Sequence, residues 1–335
     1  MILASIDIGT NTLRLLIAEL KPGEGRSAPR IKPLLYKRAI TRLGGGYTAN
    51  GGIDKARAER TIEALEGFRD AIKEYGVKEV FAVATSVVRR AVNREDFLKD
   101  VLLRTGIEVN VISGDEEARI TLAGVLSVVN GKKRDRVVID IGGGSTEFIL
   151  TDGADIAGAW SMEMGVVHLS ERYLKSDPPR KSELEDMDRE IKGVVEDLRR
   201  RINNHGLTID KYSGKNGAEI IGTAGTITTL AAIDQGLTVY DRDRINNWIL
   251  GRKRVEDIYG NLITLTLGER AEVLSLEKGR EDLIIPGTAI ALSCMESFGF
   301  DSMRASDAGL LEGVIQGRLR EGHGNTDLRL KEDLI

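Results

Sequence analysis

Two short apolar runs joined by glycines form the most informative hydrophobic pattern in the chain. The first run, at 137–139, ends in Asp140, and the second lies at 148–150. Three glycines, at 142–144, and the hydroxyl residues Ser145 and Thr146 stand between them. Short β-rich runs separated by a glycine turn predict a β-hairpin. Because glycine has no Cβ atom, we expect several backbone N–H groups of this turn to be open to one anion.

The same pattern occurs near the N-terminus, which indicates an internal duplication. An apolar run there ends in Asp7, and Gly9, Thr10 and Thr12 precede a second apolar run. The acids of the two copies, at 7 and 140, are 133 residues apart. A repeat of that length corresponds to a whole domain and not to the short unit of a solenoid. We therefore predict two copies of one domain.

Alternating strand and helix patterns fill both halves of the chain. In the first half they predict a third strand at 31–43, a helix at 53–75, a strand at 80–83, a helix at 94–104, a strand at 108–112 and a helix from 113 to about 129. In the second half they predict a third strand at 156–162, a charged helix at 182–201, a strand at 219–221, a helix from the loop at 222–226 through 233, and helices at 262–267, 273–276, 286–298 and 306–317. The continuous apolar run at 80–83 is typical of a buried parallel strand. Together these patterns predict an α/β fold of two domains with a cleft between them.

Length and charge limit the functions that such a fold can have. The chain has 335 residues, enough for two domains that each bury a core. Its formal net charge of −4 provides no positive field that would attract nucleic acid. A phosphate-rich ligand must therefore be held by local donors, by arginines or by a metal.

Cysteine usage and hydropathy predict a cytoplasmic protein. The single cysteine, Cys294, has apolar neighbours and is expected to be buried in a helix. Asp7 interrupts the N-terminal apolar run, so we expect no signal peptide. No apolar stretch reaches the ~20 residues that a membrane span needs. We therefore expect neither a membrane nor a nucleic acid as a partner.

Two loops have the composition of phosphate sites. Asp140, at a strand end beside the glycine turn, can hold a hydrated Mg²⁺ against phosphate oxygens. The loop at 222–226 places small residues between a strand and a helix, where backbone N–H groups and the helix N-terminus can bind phosphate. Its small residues are equally compatible with close packing of the helix on the strand. The glycine turn, likewise, is compatible with a plain tight hairpin.

Two acids and an arginine are candidates for catalysis. Glu116 and Glu117 stand at a predicted helix start, where acids usually stabilise the helix dipole, although one of them could act as a general base. Arg89 follows a strand end and could bind two phosphate oxygens, or it could be an ordinary surface arginine. Arg119, on the same helix as the acids, could orient one of them or be structural.

Other charged side chains are less specific. Arg14 lies inside a predicted strand, which requires that it reach the cleft or an acidic partner. The run at 199–201 is three arginines on a helix, usually a solvated face, although such a run could guide a long polyanion. His168, His205 and His323 lack the spacing of a zinc site.

Seven segments, in order along the chain, resemble the exopolyphosphatase/guanosine pentaphosphate phosphohydrolase family of the sugar kinase–Hsp70–actin superfamily. They lie at 6–17, 83–93, 111–120, 138–148, 221–233, 284–290 and 306–313, and they include DIGTNTLR, SGDEEAR and DIGGGSTEF. The resemblance implies two actin-like, ribonuclease H-like domains related by duplication, with a deep cleft between them. It also implies hydrolysis of terminal phosphoanhydride bonds with Mg²⁺ (or Mn²⁺), and a homodimer.

The resemblance also implies roles for individual residues. Glu117 matches the catalytic base and Arg89 the phosphate-contacting arginine, while Asp140 matches the metal-binding carboxylate, assisted by Glu147. The phosphate-binding positions that it implies are Asp7, Thr10, Asn11, Thr12, Arg14, Gly142, Gly143, Gly144, Ser145, Gly222, Thr223, Ala224, Gly225 and Thr226. The expected domains are 1–127 with a C-terminal helix at about 305–320, then 128–304, followed by a charged tail at 321–335.

The sequence also departs from the family pattern. Longer members carry a C-terminal helical domain of the HD type, and we expect this chain to be too short to include one. We therefore do not expect strong processivity on long polyphosphate. The pair Asn246-Asn247 stands where many relatives have His-Gly or Asn-Gly, and His168 replaces a common arginine.

Exopolyphosphatase activity on inorganic polyphosphate is the function that we expect. The alternatives are a guanosine pentaphosphate 5′-phosphohydrolase, which would bind guanosine penta- or tetraphosphate, and a nucleotide or alarmone sensor with little catalysis. An actin-like kinase is a more distant fourth.

Overall fold

Two mixed β-sheets flanked by helices organise the protein, as seen in a computed structural model that describes residues 1–21, 30–131, 134–153, 155–276 and 278–321. The first sheet has the strand order β3-β2-β1-β4-β5. Its strands are β1 (Ile2–Ile8), β2 (Thr12–Lys21), β3 (Arg30–Ile40), β4 (Glu79–Ala84) and β5 (Val109–Val111). The helices of this half are α1 (Lys55–Glu74), α2 (Ser86–Arg90), α3 (Arg94–Thr105) and α4 (Gly114–Leu126).

The second sheet has the order β10-β11-β9-β6-β7-β8. Its strands are β6 (Arg136–Ile141), β7 (Thr146–Asp152), β8 (Asp155–Met162), β9 (Glu219–Thr223), β10 (Ile249–Gly251) and β11 (Ser302–Ala305). Its helices are α5 (Val166–Tyr173), α6 (Lys181–Asn204), α7 (Ala224–Gln235), α8 (Arg242–Ile245), α9 (Arg252–Leu262), α10 (Leu267–Ala271) and α11 (Ile284–Ser297), and α12 (Leu310–Glu321) follows. The predicted α/β class is confirmed.

The two sheets repeat one plan. In each sheet, two strands form an antiparallel hairpin, and a third strand pairs antiparallel with the second: β1-β2-β3 in the first sheet and β6-β7-β8 in the second. The first strand of each hairpin also has a parallel neighbour, β4 beside β1 and β9 beside β6. The registers place Asp7 opposite Arg14 in the first hairpin and Asp140 opposite Glu147 in the second. The duplicated hairpins that the apolar runs predict are therefore present.

Helix α4 packs on the second sheet, and helix α12 packs on the first. On α4, Ala118 and Leu122 pack against Val138 of the second sheet. On α12, Leu311 belongs to the same apolar cluster as Leu3 of the first sheet. The predicted domain boundaries stay a prediction, and the predicted tail, after its first residue, lies outside the described residues.

The backbones of α4 and α12 touch where glycines face each other. A Cβ atom on Gly124 would lie 1.8 Å from the carbonyl oxygen of Gly309, and one on Gly313 would lie 1.8 Å from that of Ile120. Real Cβ contacts are never so short, and the facing atoms are backbone, which cannot rotate away. These two helices can therefore approach as they do only with glycine at these positions.

Several sequence-based element assignments are wrong in detail. The run at 80–83 is parallel to β1, but Val80 is exposed, because β5 pairs only with Ala82–Ala84 of β4. Of the segment at 262–267, only Leu262, the end of α9, and Leu267, the start of α10, are helical, and the segment at 273–276 is a turn that buries Leu276. The last helix begins at Leu310 and not at 306. Short elements such as α2, β10 and β11 have too few residues to show a period, so no pattern predicted them.

No helix among the described residues is both long and apolar enough to cross a bilayer. Cys294 is buried in α11, as predicted.

Candidate active site

A polar cavity between the two sheets is lined by most of the predicted site residues. Those that line it are Asp7, Thr10, Asn11, Thr12, Arg14, Glu117, Asp140, Gly142, Gly143, Gly144, Ser145, Glu147, Ala224, Gly225 and Thr226. Arg89, Gly222 and Thr223 do not line it. Gly222 lies inside β9 against Met303, and the Thr223 hydroxyl donates to the carbonyl of Ala308, so both face the interior.

The turns of the two hairpins meet at this cavity. A Cβ atom on Gly143 would lie 3.1 Å from the backbone nitrogen of Asn11, and one on Gly144 would lie 2.6 Å from Oγ1 of Thr10. Gly165 packs just as closely behind the second turn, since its Cβ atom would lie 2.3 Å from the carbonyl oxygen of Gly143. The glycines thus allow contact between the two halves of the chain, a role that the sequence pattern did not predict.

Glu117 is the acid of the Glu116–Glu117 pair that enters the cavity. Its side chain is buried, and its Oε2 accepts a hydrogen bond of 3.0 Å from Nη1 of Arg89. The same Nη1 donates to the carbonyl of Ile112 at 2.9 Å, which fixes the guanidinium. Glu116 is exposed and forms a capping box with Ser113, with Oε2 2.8 Å from the Ser113 nitrogen. The structure thus separates the helix cap from the candidate base.

Asp140 and Glu147 are buried neighbours on β6 and β7. Ser145 and Ser161 both donate their hydroxyls to Oε1 of Glu147, at 2.7 and 2.8 Å. The Thr121 hydroxyl lies 3.5 Å from Oδ2 of Asp140. Burial raises the pKa of Asp140 to about 6, and burial together with the Asp140 charge raises that of Glu147 to about 7. Burial, followed by the charge of Glu147, also raises the pKa of Glu117 well above its usual value.

Asp7 is paired with Arg14, as expected for a charge inside a strand. Nε and Nη2 of Arg14 donate to Oδ2 of Asp7 at 2.9 and 2.6 Å. The other oxygen, Oδ1, is buried and accepts no hydrogen bond from the described residues, and the same holds for Oδ1 of Asn11. Such buried acceptors normally require a partner, so they suit a hydrated cation or a ligand donor.

The acids of the cavity fit a magnesium site. Within the described residues, no three His, Cys, Asp or Glu side chains form a ready set of ligands. Mg²⁺ is usually bound by only one or two carboxylates, with water and substrate phosphates completing the octahedron. Asp140 and Glu147 could supply those carboxylates. Burial, and for Glu147 also the Asp140 charge, raises the pKa of these acids, and a bound cation would favour their ionised forms.

We expect the thermal stability of the metal-free protein to fall as the pH rises from about 5 to 8. The folded pKa values of Asp140 and Glu147, about 6 and about 7, exceed the ordinary values of 3.8 and 4.5, so the folded state binds more protons in this window and loses stability as they dissociate. Mg²⁺ at ten times its Kd should restore about 1.4 kcal/mol at pH 8 and much less at pH 5. Scanning calorimetry in EDTA and in Mg²⁺ measures both effects.

The variant Glu147→Gln serves as the control for this experiment, because it removes one of the buried acids with a raised pKa and should make the pH dependence shallower. An equal Mg²⁺ effect at pH 5 and pH 8 would contradict the assignment of the metal to these acids.

The loop before α7 holds a non-glycine residue in a left-handed conformation. Ala224 has a φ of 68°, a left-handed conformation that is strained for alanine. Beside it, a Cβ atom on Gly225 would lie 1.6 Å from Nη1 of Arg280, so that guanidinium lies directly over the first turn of the helix. Arg280 lines the cavity, but its flanking sequence shows no motif that would have predicted it.

We expect Ala224→Gly to stabilise the fold by about 0.5–1 kcal/mol. The left-handed conformation costs alanine roughly 1–2 kcal/mol, and glycine loses about 0.5–1 kcal/mol more entropy on folding. Urea unfolding of the variant measures the difference, and a loss of stability would contradict the strain assigned to this residue.

An ion pair beside the cavity joins segments of the two halves of the chain. Nη1 and Nη2 of Arg42, just after β3, donate to Oδ2 and Oδ1 of Asp282, just before α11, at 2.7 and 2.9 Å. Nearby, the backbone nitrogen of Gly46 lies 3.2 Å from Oε1 of Glu171. These contacts join the first-sheet side of the cleft to the second.

The arginine run at 199–201 belongs to an exposed helix face. Arg200 and Arg201 pair with Asp197 of the same helix, and Arg199 donates to the carbonyl of Ser297. Arg119 is also exposed and makes no bond to Glu117. His323 lies outside the described residues.

Comparison with known proteins gives matches over nearly the whole chain. A profile of the family described as the Ppx/GppA phosphatase family matches residues 16–321. Exopolyphosphatase 2 of Mycobacterium tuberculosis is 32% identical over 320 residues, which cover 93% of this chain and 96% of that protein. A bifunctional 3-dehydroquinate synthase/phosphatase of Fusobacterium nucleatum is 32% identical over 316 residues, but the chain spans only 46% of its length.

The similarity holds for solved structures as well. The structure from a study of the Aquifex aeolicus PPX-GPPA enzyme has a TM-score of 0.76 and 31% identity, and the match covers 95% of this chain and 99% of that one. The predicted family, the actin-like α/β fold and the enzyme class are confirmed, while the roles of single residues stay predictions. The chain therefore belongs to the Ppx/GppA phosphatase family and is a phosphoanhydride hydrolase.

Proposed function

We propose that this protein is an exopolyphosphatase, which hydrolyses the terminal phosphoanhydride bond of inorganic polyphosphate and releases orthophosphate. The observation that carries the proposal is the position of Glu117, buried in the same cavity as Asp140 and both hairpin turns. A carboxylate of this kind is the group that hydrolysis by water requires. The M. tuberculosis relative, which has exopolyphosphatase in its name and matches over 96% of its length, supports the choice of substrate.

In this proposal the hairpin turns hold the terminal phosphoryl group. The hydroxyls of Thr10 and Thr12, with the backbone N–H groups of the glycine turn up to Ser145, are donors that a phosphate can accept from. The first turn of α7 and Arg280 would bind the next phosphates of the chain, because a helix N-terminus and a guanidinium both attract anions.

Glu117 takes the proton from an attacking water molecule. As the water oxygen bonds to the terminal phosphorus, the bond from phosphorus to the bridging oxygen breaks, and the shortened polyphosphate leaves with that oxygen and its negative charge. Arg89 holds Oε2 of Glu117 and favours its ionised form, which a base needs. Mg²⁺ or Mn²⁺, bound through Asp140 and Glu147, would neutralise the phosphoryl oxygens. Alignment and charge stabilisation then lower the barrier, since phosphoryl transfer needs little else.

Guanosine pentaphosphate 5′-phosphohydrolase activity is the second candidate, because the family name includes GppA and the same residues would perform that reaction. We propose in addition that the protein is cytoplasmic and homodimeric, that it binds neither nucleic acid nor membrane, and that its domains divide at the boundaries given by the sequence.

Phosphate release in the absence of any acceptor tests the proposal. Inorganic polyphosphate, guanosine pentaphosphate and ATP are each supplied with Mg²⁺ or EDTA. We expect Mg²⁺-dependent orthophosphate from polyphosphate, with a higher kcat/KM than from guanosine pentaphosphate. A reversed preference would establish the second candidate. No release from any substrate, with tight binding of guanosine tetraphosphate, would instead indicate a sensor.

A further inference from the structure

Ser161, which no sequence motif identified, lies in line with Asp140 and Glu147 across three neighbouring strands. Asp140 on β6 lies opposite Glu147 on β7, and Glu147 lies opposite Ser161 on β8. Residues directly opposite each other on paired strands point to the same face of the sheet. Ser161 is half-buried at the end of this row, on the edge strand of the sheet.

The hydrogen bonds of the row leave one oxygen of Glu147 available. The hydroxyls of Ser145 and Ser161 both donate to Oε1, at 2.7 and 2.8 Å. Among the described residues, none donates to Oε2. Two donors on one oxygen fix the plane of the carboxylate, and Oε2 remains free to face a cation or a water molecule.

Ser161 also contacts the helix that carries Glu117. A Cβ atom on Gly114, the first residue of α4, would lie 2.7 Å from Cβ of Ser161 and 3.3 Å from its Oγ. The first residue of α4 therefore packs directly against Ser161, and Glu117 lies one helical turn further along α4. The contact requires glycine at 114 and a small side chain at 161.

We propose that Ser161 is a positioning residue of the active site, which orients the Glu147 carboxylate toward a divalent cation and sets the distance from that carboxylate to Glu117. The cation is the one that the proposed function invokes, so the inference rests on that function for its catalytic meaning. Groups that orient a metal-binding carboxylate typically change metal affinity by about 10- to 100-fold when removed.

Cation binding without substrate tests the orienting role. Mn²⁺ and Mg²⁺ are titrated into wild type and Ser161→Ala by calorimetry at pH 8. We expect the Kd of the variant to rise about tenfold or more, with a melting temperature in EDTA close to that of wild type. Ser127→Ala, at the far end of α4, removes a hydroxyl that bonds only within its helix and should leave the Kd unchanged.

The variant Ser161→Thr separates the two roles. It keeps the hydroxyl but adds a methyl group beside Gly114, so kcat should fall at saturating Mg²⁺ while the cation Kd changes less than in Ser161→Ala. An unchanged Kd in Ser161→Ala, or a wild type that binds neither cation, would overturn the inference. A wild type that binds Mg²⁺ but releases no phosphate from polyphosphate would instead refute the proposed function. The comparison of the cation Kd between wild type and Ser161→Ala would still test the orienting role.

Discussion

Replacing Glu117 with glutamine should lower kcat for phosphate release by about 100- to 10,000-fold, the range that a general base typically contributes. Glutamine has nearly the same volume and can still accept the hydrogen bond from Arg89, but it cannot take a proton from water. KM should change little, because the proposal assigns substrate binding to the hairpin turns and Arg280 and not to Glu117. Steady-state release from polyphosphate at saturating Mg²⁺ measures the effect.

The neighbouring acid provides the matched control. Glu116→Gln changes the same functional group one residue away, but Glu116 is exposed and only caps α4. We expect its kcat to stay within a few-fold of wild type. The melting temperature of Glu117→Gln should also stay close to wild type, because glutamine removes a buried group whose ionisation is unfavourable. Equal losses in the two variants, or nearly full activity in Glu117→Gln, would refute the base assignment.

Replacing Gly124 with alanine should destabilise the protein by about 3 kcal/mol or more, at the upper end of overpacking effects. The new methyl group would lie 1.8 Å from the carbonyl oxygen of Gly309, so α4 and α12 must move apart. A displaced α4 also shifts Glu117, and kcat should therefore fall together with stability. For a chain of this size we expect a melting temperature lower by roughly 4 °C or more.

Gly67→Ala tests whether the contact, and not the residue type, is responsible. Gly67 also lies inside a helix, but no heavy atom lies within 4 Å of the position that its Cβ atom would occupy. Alanine there should stabilise the protein by about 0.5–1 kcal/mol through helix propensity. Similar losses for Gly124→Ala and Gly67→Ala would contradict the importance of the contact between α4 and α12.

Local patterns were sufficient to predict the hairpins and the residues on them. The order of apolar run, acid, glycines and hydroxyls appears twice, and each copy forms an antiparallel pair whose acid reaches the cavity. Arg14 could be predicted to need a partner because a charge inside a strand is costly, and Asp7 is that partner. The motif with two glutamates could be placed at a helix start, but only the three-dimensional structure shows which one turns inward.

The remaining features depend on contacts between distant segments. Ser161 contacts Glu147 through strand register and Gly114 through the approach of the two halves, and neither relation leaves a local signal. The left-handed conformation of Asn247, with a φ of 68°, is easier to understand afterwards, because asparagine adopts this conformation more readily than most residues other than glycine. The strain at Ala224, by contrast, could not have been expected from an alanine.

If the protein hydrolyses polyphosphate as proposed, the ion pair between Arg42 and Asp282 would favour cleavage from the ends of the polymer. The hairpin turns touch at the cavity, and the ion pair lies beside it, because the backbone nitrogen of Arg42 donates to the carbonyl of Asn11 and Asp282 directly precedes Leu283, two residues that line the cavity. The end of a linear polymer could pass between these two contacts, whereas an internal segment would first have to separate one of them. Exo cleavage would then result from restricted access to the cavity as well as from binding of the terminal phosphoryl group. High ionic strength, which weakens the bridge, should favour occasional internal cuts.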